Sequence, residues 1–213
     1  MLRILRLARL GRAPTLAIIL TSGPWLMSVA DAADLGGRAF GALVDVPILG
    51  DPTYVADTGG LSPEGGWEET GLADTEVGAV FAARTLVAST SGLAESPGGD
   101  AASSSTSLSE VVLFPGSLGE ITASFVRAQA AATLGGVSGT TEIHRLRFGG
   151  QAVQVTGVPN QKVVIPFVGS LVINEQAITI GPTSRVITVN ALHLRLATGD
   201  EVIVSSASSS VSY

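Results

Sequence analysis

The stretch from Leu171 to Val204 constrains the fold more than any other part of the chain. It contains three runs rich in Val, Ile, Leu and Thr, residue types that pack well on a pleated surface. Two breaks separate the runs, Gly181-Pro182-Thr183-Ser184 and Thr198-Gly199-Asp200, and their Gly and Pro residues supply the backbone angles that turns need. The stretch therefore predicts a β-meander of three strands joined by two turns.

The middle run of this meander changes its apolar face partway along. Odd-numbered residues are apolar from Ile187 to Ala191, whereas even-numbered residues are apolar from Leu192 to Leu196. Side chains of a strand alternate between its two faces, so this shift moves the apolar set from one face to the other. A β-bulge near Asn190 would explain the shift, and so would burial of both faces.

Much of the remaining chain also has the pattern of β-strands separated by turns. Helix is the alternative for 76–90, but Gly78 would cost a helix about 1 kcal/mol. Helix also stays open for the Ala-rich end of 118–133. The further predicted strands are Gly36–Val46, Glu76–Thr90, Ser103–Phe114, Leu118–Thr133, Thr140–Phe148, Gln151–Thr156 and Lys162–Phe167. We predict an all-β domain at 33–213, a single antiparallel β-sandwich or flattened barrel of about nine to ten strands.

The stretch from Pro47 to Asp74 differs from the rest of this domain. It is rich in Pro, Gly and acidic residues, and its apolar residues keep no sustained period of 2 or 3.6. Gly and Pro interrupt it too often for a regular element. We therefore predict a long acidic loop at 47–74.

Residues 1–32 have the layout of a secretory signal peptide. Four arginines precede an apolar run, Leu16–Val29, and Ala30-Asp31-Ala32 follows as an A-x-A cleavage site. A membrane anchor is disfavoured, because Ser22-Gly23-Pro24 interrupts a run that already falls short of the roughly 20 residues needed to span a bilayer. We predict cleavage after Ala32 and a secreted protein, either extracellular or on the cell surface.

Charge limits the partners of the exported chain. Without residues 1–32 it has 8 basic and 17 acidic side chains. This balance argues against nucleic acid and against anionic lipid, and we expect no membrane insertion of the mature chain. Residues 34–120 contain 13 acids and 2 bases, whereas residues 121–213 contain 4 acids and 6 bases. Either the acids form a solvated face, or acidic loops of one copy meet basic strands of another. Cysteine is absent, so no disulfide stabilises the chain.

Motifs for catalysis are weak. Asp57-Thr58-Gly59 matches the D-T-G of aspartic proteases, but that chemistry needs two such carboxylates and the chain has one copy. A turn in which Asp57 caps its own backbone is favoured. Pro115–Gly119 lacks the first glycine of G-x-S-x-G. His144 and His193 lie in predicted strands beside arginines, and we interpret both as surface or edge residues. We predict no catalytic residues and no enzyme.

The loop at 47–74 supplies the candidates for ligand contact. Tyr54 and Trp67 form either a platform for carbohydrate or a protein partner, or plugs over one end of the sandwich. The candidate contact residues are Tyr54, Trp67, Asp57, Glu68 and Glu69. Calcium is the one cofactor that the acids of this loop could bind, but their spacing matches no EF-hand or repeat pattern, and solvated acids are the favoured interpretation. The possible calcium ligands are Asp51, Asp57, Glu64, Glu68, Glu69 and Asp74.

Several strings, in the same order and spacing, resemble the bacterial choice-of-anchor P family. They are GRAFG, ASSSTSLSEV, VRAQAAAT, LRFGGQAVQVTGVPNQKVVIP, LVINEQ, TVNALHLRL and EVIVSSA. The resemblance covers most of the mature chain outside Pro47–Asp74. It implies an exported or surface-attached β domain of unassigned activity, with no catalytic residues to carry over. After Val204 only SSASSSVSY follows, without an apolar tail or sorting motif, so we expect release, or retention by a partner or by other copies.

Two functions remain open. The leading hypothesis is an extracellular non-enzymatic structural protein that self-associates or joins a cell-surface layer, sheath or filament. Exposed strand edges such as Gly36–Val46 would add to a neighbouring sheet. Its partner is then a second copy, making a homo-oligomer, or another surface protein. The alternative is a secreted glycan- or partner-binding β-sandwich module that uses the acidic aromatic loop.

Overall fold

Thirteen β-strands form nearly all of the regular structure, and the described residues contain no α-helix. The computed structural model describes residues 33–47, 50–94, 99–166 and 168–213. The predicted signal peptide lies outside these residues. The strands are β1 (Asp34–Asp45), β2 (Thr53–Asp57), β3 (Gly66–Val77), β4 (Phe81–Leu93), β5 (Ala101–Leu113), β6 (Ile121–Thr133), β7 (Gly136–His144), β8 (Arg147–Phe148), β9 (Gln151–Ala152), β10 (Gln161–Ile165), β11 (Gly169–Ile180), β12 (Ser184–Leu196) and β13 (Glu201–Ser212).

The strands form two antiparallel sheets whose inner faces pack on each other. Sheet A has the order β10-β11-β12-β13-β1-β2. Sheet B has the order β3-β4-β5-β6-β8-β9, and β7 pairs with β6. One large apolar cluster joins side chains from both sheets, such as Phe81 and Leu113 with Leu194 and Val202. The fold is therefore all-β and sandwich-like, which confirms the predicted class, and the predicted meander is β11, β12 and β13.

The structure has more strands than predicted, because two stretches were interpreted wrongly and predicted strand Thr140–Phe148 is divided in two. The predicted loop at 47–74 contains β2 and most of β3. The predicted single strand Glu76–Thr90 contains the end of β3, a tight turn at Gly78 with φ of 52°, and most of β4. Nearly all of β3 is exposed, so it lacks the alternation of apolar and polar residues that marks a half-buried strand.

Other boundaries differ less. The Ala-rich end of Leu118–Thr133 belongs to strand β6, where alternate alanines point into the core, so helix was the wrong alternative there. Predicted strand Gln151–Thr156 is reduced to the two residues of β9, and predicted strand Thr140–Phe148 divides into parts of β7 and β8. The last strand, β13, continues to Ser212.

A row of residues that depart from ordinary β geometry crosses sheet A. From β2 to β11 the row consists of Ala56, Gly41, Ser205, Ala191 and Asn174. Three of them have left-handed backbone: Ala56 with φ of 49°, Ser205 with 58° and Asn174 with 54°. Strand pairs on both sides of the row keep the same register, so no strand contains an extra residue. Of the two explanations offered for β12, the β-bulge near Asn190 is therefore wrong, whereas both faces are buried from Ala191 to Leu194.

A matching row crosses sheet B. It runs through Asp74, Arg84, Glu110, Ser124 and Arg145. Again, residues of positive φ alternate with residues of negative φ from one strand to the next. Asp74, Glu110 and Arg145 have φ of 46°, 49° and 53°. A left-handed backbone costs a non-glycine residue about 1–2 kcal/mol. Six of the eight non-glycine residues with positive φ among those described thus lie in these two left-handed rows.

The left-handed rows change which side chains face the core. Ala191 and Leu192 are consecutive, yet both are fully buried, and the same holds for Val204 and Ser205. In an uninterrupted strand one of each pair would point outward. The shift of apolar residues from odd to even positions in β12 is explained by this row.

Between two apolar clusters, the sheets are joined by a layer of buried hydroxyl groups. The hydroxyl oxygens of Thr90 and Ser104 lie 2.8 Å apart, and the Ser104 hydroxyl donates to the backbone carbonyl of Ser208 at 2.6 Å. Thr106 and Ser205 bond each other across the sheets. Gly37 is required beside this layer, since a Cβ there would lie 2.2 Å from Thr90 Oγ1. The hydrogen bonds let polar side chains fill the interior without the cost of unpaired groups.

Glu110 offers a test of the left-handed rows, because its side chain is exposed at the centre of sheet B. We expect Glu110→Gly to raise the free energy of unfolding by about 0.5–1 kcal/mol, since glycine adopts positive φ without steric cost. Glu110→Val should lower it by about 1–3 kcal/mol. Denaturant unfolding measures both. Ser103→Gly, on the same strand with ordinary β geometry, is the control and should destabilise; a similar loss for Glu110→Gly would contradict the assignment.

Candidate functional site

Tyr54 and Asp57, two predicted contact residues, lie together on the outer face of sheet A. Pairing of β1 with β2 places them beside Arg38 and Phe40. Arg38 donates two hydrogen bonds to the Asp57 carboxylate, at 2.9 and 2.7 Å, and its guanidinium lies 4.3 Å from the centre of the Tyr54 ring. The rings of Phe40 and Tyr54 pack edge to face, with their centres 5.1 Å apart. A cation, an anion and two rings thus form one surface cluster.

The Asp57 carboxylate is held ionised in this cluster. The hydrogen bond from Arg38 lowers its pKa, partial burial opposes this, and the backbone N–H of Gly59 lowers the pKa further by donating at 3.0 Å. The bond from Gly59 confirms the predicted turn in which Asp57 caps its own backbone. The carboxylate is therefore an ion-pair and turn partner within sheet A.

The other three predicted contact residues, Trp67, Glu68 and Glu69, lie on β3 at the edge of sheet B. Trp67 is 64% exposed and Tyr54 is 43% exposed, so the prediction of plugs over one end is wrong. In the described part of the chain Tyr54 makes a ring contact with Phe40 but none with Trp67. The predicted aromatic platform is thus divided between two sheets.

Strand β3 is an acidic strand with a free edge. It pairs with β4 alone, and its acidic residues make no ion pair with other described residues. Those residues are Glu68, Glu69, Asp74 and Glu76. An edge of this kind exposes backbone N–H and C=O groups that could pair with another strand.

The opposite edge of sheet B is basic. There Arg145 and Arg147 are exposed, as is Lys162 on the neighbouring edge strand β10 of sheet A, and none of the three has a carboxylate partner in the ranges described. Glu142 is already paired with His144, at 3.0 Å. His144 is exposed on edge strand β7, as predicted.

His193 is the centre of the most extensive polar network, on the outer face of sheet A. It is only 5% exposed. Its Nδ1 lies 2.6 Å from Glu175 Oε2 and its Nε2 lies 2.8 Å from Glu201 Oε2. Arg195 donates to the other Glu175 oxygen at 2.6 Å. Because carboxylates only accept, a doubly protonated ring satisfies both contacts. The prediction that His193 is a surface or edge residue is wrong, since β12 is an inner strand.

Glu175 is ionised in spite of its burial. Burial is the largest influence and raises its pKa, but hydrogen bonds from Asn190 and His193, with the charges of His193 and Arg195, lower the pKa overall. The Asn190 amide donates to Glu175 Oε2 at 2.8 Å. The amide oxygen of Asn190 is buried and has no partner among the described residues.

A second set of amides continues the network to the loop before β10. The Asn174 side chain accepts from Gln176 and donates to the Gly157 carbonyl, at 2.9 and 3.0 Å. Gln176 also reaches the Gly139 carbonyl of β7, in the other sheet, at 3.2 Å. Asn160 accepts from the Gln176 backbone at 2.9 Å. The motif strings PN, NEQ and VNALH therefore converge on one structural network.

This convergence was missed from the sequence, although a signal existed. The turn at Gly181–Ser184 joins β11 to β12, and counting residues outward from it places Glu175 opposite Asn190. That pairing brings the NEQ and VNALH strings together. Burial of His193 has no such signal, because the apolar residues of this part of β12 are Leu192, Leu194 and Leu196, which places His193 with Arg195 on the other face.

No three His, Asp or Glu side chains in the described ranges are arranged to hold a metal ion. The acids considered for calcium are spread from the residues before β2 to the end part of β3, and Asp57 is already paired with Arg38. Within the described residues, no helix is long and apolar enough to span a bilayer. No family model, curated protein or solved structure matched the chain.

The lowered pKa of Glu175 predicts a loss of stability in acid. A group whose pKa is lower in the folded state stabilises the fold above its ordinary value, here 4.5, and this contribution disappears as the pH falls through the folded-state pKa. We expect the free energy of unfolding to fall more steeply between about pH 5 and pH 3 in the wild type than in Glu175→Gln. At pH 7 the variant should be less stable by about 1–3 kcal/mol.

Denaturant unfolding across this pH range measures both effects. Glu142→Gln is the matched control, because Glu142 is exposed and pairs with His144 at the surface. It should keep the wild-type dependence on pH. If the free energy of unfolding depended on pH in the same way in the wild type and in Glu175→Gln, the proposed stabilisation by the ionised Glu175 of the His193 network would be contradicted.

Proposed function

We propose that this protein is an extracellular, non-enzymatic structural protein whose copies associate through open strand edges into a surface layer, sheath or filament. The supporting observation is that sheet B has, on each side, a long strand with one unpaired edge. β3 pairs only with β4, and β7 pairs only with β6 in the described part of the chain. Each edge offers main-chain donors and acceptors to a strand of another molecule.

The edge expected from the sequence, Gly36–Val46, is not available. β1 lies between β13 and β2 in sheet A. Beyond the end of β2, the backbone N–H groups of Thr58 and Leu61 donate to the carbonyls of Ala39 and Gly37, at 2.9 and 2.8 Å. The prediction of an exposed strand edge at Gly36–Val46 is therefore wrong, and β3 and β7 replace β1 as the candidates for strand addition.

Export is part of this proposal and is supported by the sequence of residues 1–32. Four arginines, an apolar run and an A-x-A site have the order of a signal peptide. The resemblance of the motif strings to the choice-of-anchor P family points the same way. An acidic exported surface also disfavours binding to nucleic acid.

The proposal predicts a reversible assembly of the exported chain, which N-terminal sequencing should show to begin at Ala33. At low ionic strength, light scattering and electron microscopy should show species larger than a monomer that grow with protein concentration. At 1 M salt the size should decrease, because the screening length falls to about 3 Å and the attraction between exposed charges weakens. A strict monomer at high concentration and low salt would refute self-association.

The alternative, a glycan- or partner-binding module, is supported by the position of Trp67. By register Trp67 lies opposite Ser91, and Ser91 lies opposite Ser103, so an exposed ring adjoins a row of hydroxyl groups. Such a ring stacks on sugars, and hydroxyl groups bond their edges. On this alternative, Trp67→Ala should abolish binding on a glycan array and leave the circular dichroism spectrum unchanged. Absence of any wild-type binding would remove the alternative.

A further inference from the structure

We propose that the copies join head to tail, with the acidic side of one copy against the basic side of the next. The acidic side comprises residues 50–77, which include β2 and β3. The basic side comprises residues 136–166 and 168–176, which include β7 and β10. This inference rests on the proposed self-association and specifies the partner surface, which is a second copy of the same chain.

The strand orders of both sheets place these two sides at opposite ends of the fold. Sheet A runs from β2 to β10, and sheet B runs from β3 to the strands β7, β8 and β9. β2 contacts β3 at one end, and β11 contacts β7 at the other, where Gln176 reaches Gly139. Each side therefore contains the edges of both sheets.

The two sides carry opposite charge. Residues 50–77 include seven acids and no bases. Of these acids only Asp57 has an ion-pair partner among the described residues. Residues 136–176 include three bases and two acids, but Glu142 is paired with His144 and Glu175 is held by His193 and Arg195. The exposed charges left unpaired on this side are thus positive within the residues described.

Charge selects which edges can pair. Neighbouring strands of a sheet lie about 4.8 Å apart, so pairing β3 with β3 of another copy would bring Glu68, Glu69 and Glu76 against the same acids. Like charges opposite one another destabilise a strand pair. Pairing β3 with β7 brings the acids towards Arg145 and Arg147 instead. Because the two surfaces differ, the contact is heterologous and can repeat without closing, which produces a row of copies.

Two charge-reversed variants test this arrangement in the exported protein. E68K/E69K leaves β3 with two positive and two negative charges, and R145E/R147E makes the basic side negative. Each variant alone should need at least about tenfold more protein to assemble, because the attraction between the two sides is weakened in the first variant and replaced by repulsion in the second. An equimolar mixture should recover the wild-type assembly, since the introduced lysines then meet the introduced glutamates and the unaltered sides meet each other. Sedimentation velocity and electron microscopy measure the sizes.

Matched controls separate this result from misfolding and from net charge. D34K/D200K makes the same change in net charge as E68K/E69K, at positions outside both sides, and should assemble like the wild type. Circular dichroism should show the same fold for all variants. Recovery in the mixture is itself evidence of folded subunits.

Three outcomes would overturn the head-to-tail arrangement. Wild-type assembly by both charge-reversed variants would show that these sides do not meet. A discrete dimer of E68K/E69K with the wild type, together with normal assembly of R145E/R147E, would show pairing of β3 with β3. If the equimolar mixture did not recover the wild-type assembly, charge complementarity between the two sides would be excluded. A wild type that stays monomeric at all salt concentrations would instead refute self-association itself.

Discussion

The fold depends on the two rows in which left-handed and ordinary residues alternate from strand to strand. Each row makes its own sheet change the face that it buries, at the same level in every strand that the row crosses. Because hydrogen bonding resumes in the same register on both sides, the whole sheet changes face together. A single left-handed residue would disrupt one strand, whereas the complete row preserves the sheet. The conformational cost, about 1–2 kcal/mol for each non-glycine residue, must be offset by packing and hydrogen bonding across the row.

The His193 network supplies part of that compensation. Glu175 and Asn190 form a strand pair on one side of the left-handed row, whereas His193 lies on the other side. The contact of 2.6 Å between Glu175 and His193 therefore bridges the row on the outer face, and Asn190 holds the same Glu175 oxygen at 2.8 Å. On the inner face, Ser205 of the same row bonds Thr106 of the opposite sheet. Polar side chains thus stabilise the row from both faces, and this role explains why so many polar groups are buried in a chain without disulfides.

The sequence was sufficient for the β class and the final meander, because alternation and turn residues are local signals. It was insufficient for β3, whose acidic residues are exposed on both faces and so show no period. The left-handed rows were missed for a different reason. Asn174 and Asp74 are types that tolerate positive φ, but Glu110, Arg145 and Ala56 are not, and only tertiary pairing holds them there. The predicted contact residues fell into two separate surfaces because strand order, which brings Tyr54 to sheet A and Trp67 to sheet B, depends on long-range pairing.

Acidic side chains on a free edge have two consequences that act together. They prevent the edge from pairing with another copy of itself, as edge charges do in many β proteins. They also leave the backbone groups of β3 accessible to a strand of opposite charge, which discriminates between partners by repulsion as well as by attraction. The ordinary interpretation, protection against aggregation, and the proposed one, selection of a partner, therefore rest on the same four carboxylates. What distinguishes them is the opposite side of the molecule. An edge that serves only for protection needs no complement, whereas this chain has Arg145, Arg147 and Lys162 at the far ends of its two sheets, where none of them meets a carboxylate of the described residues.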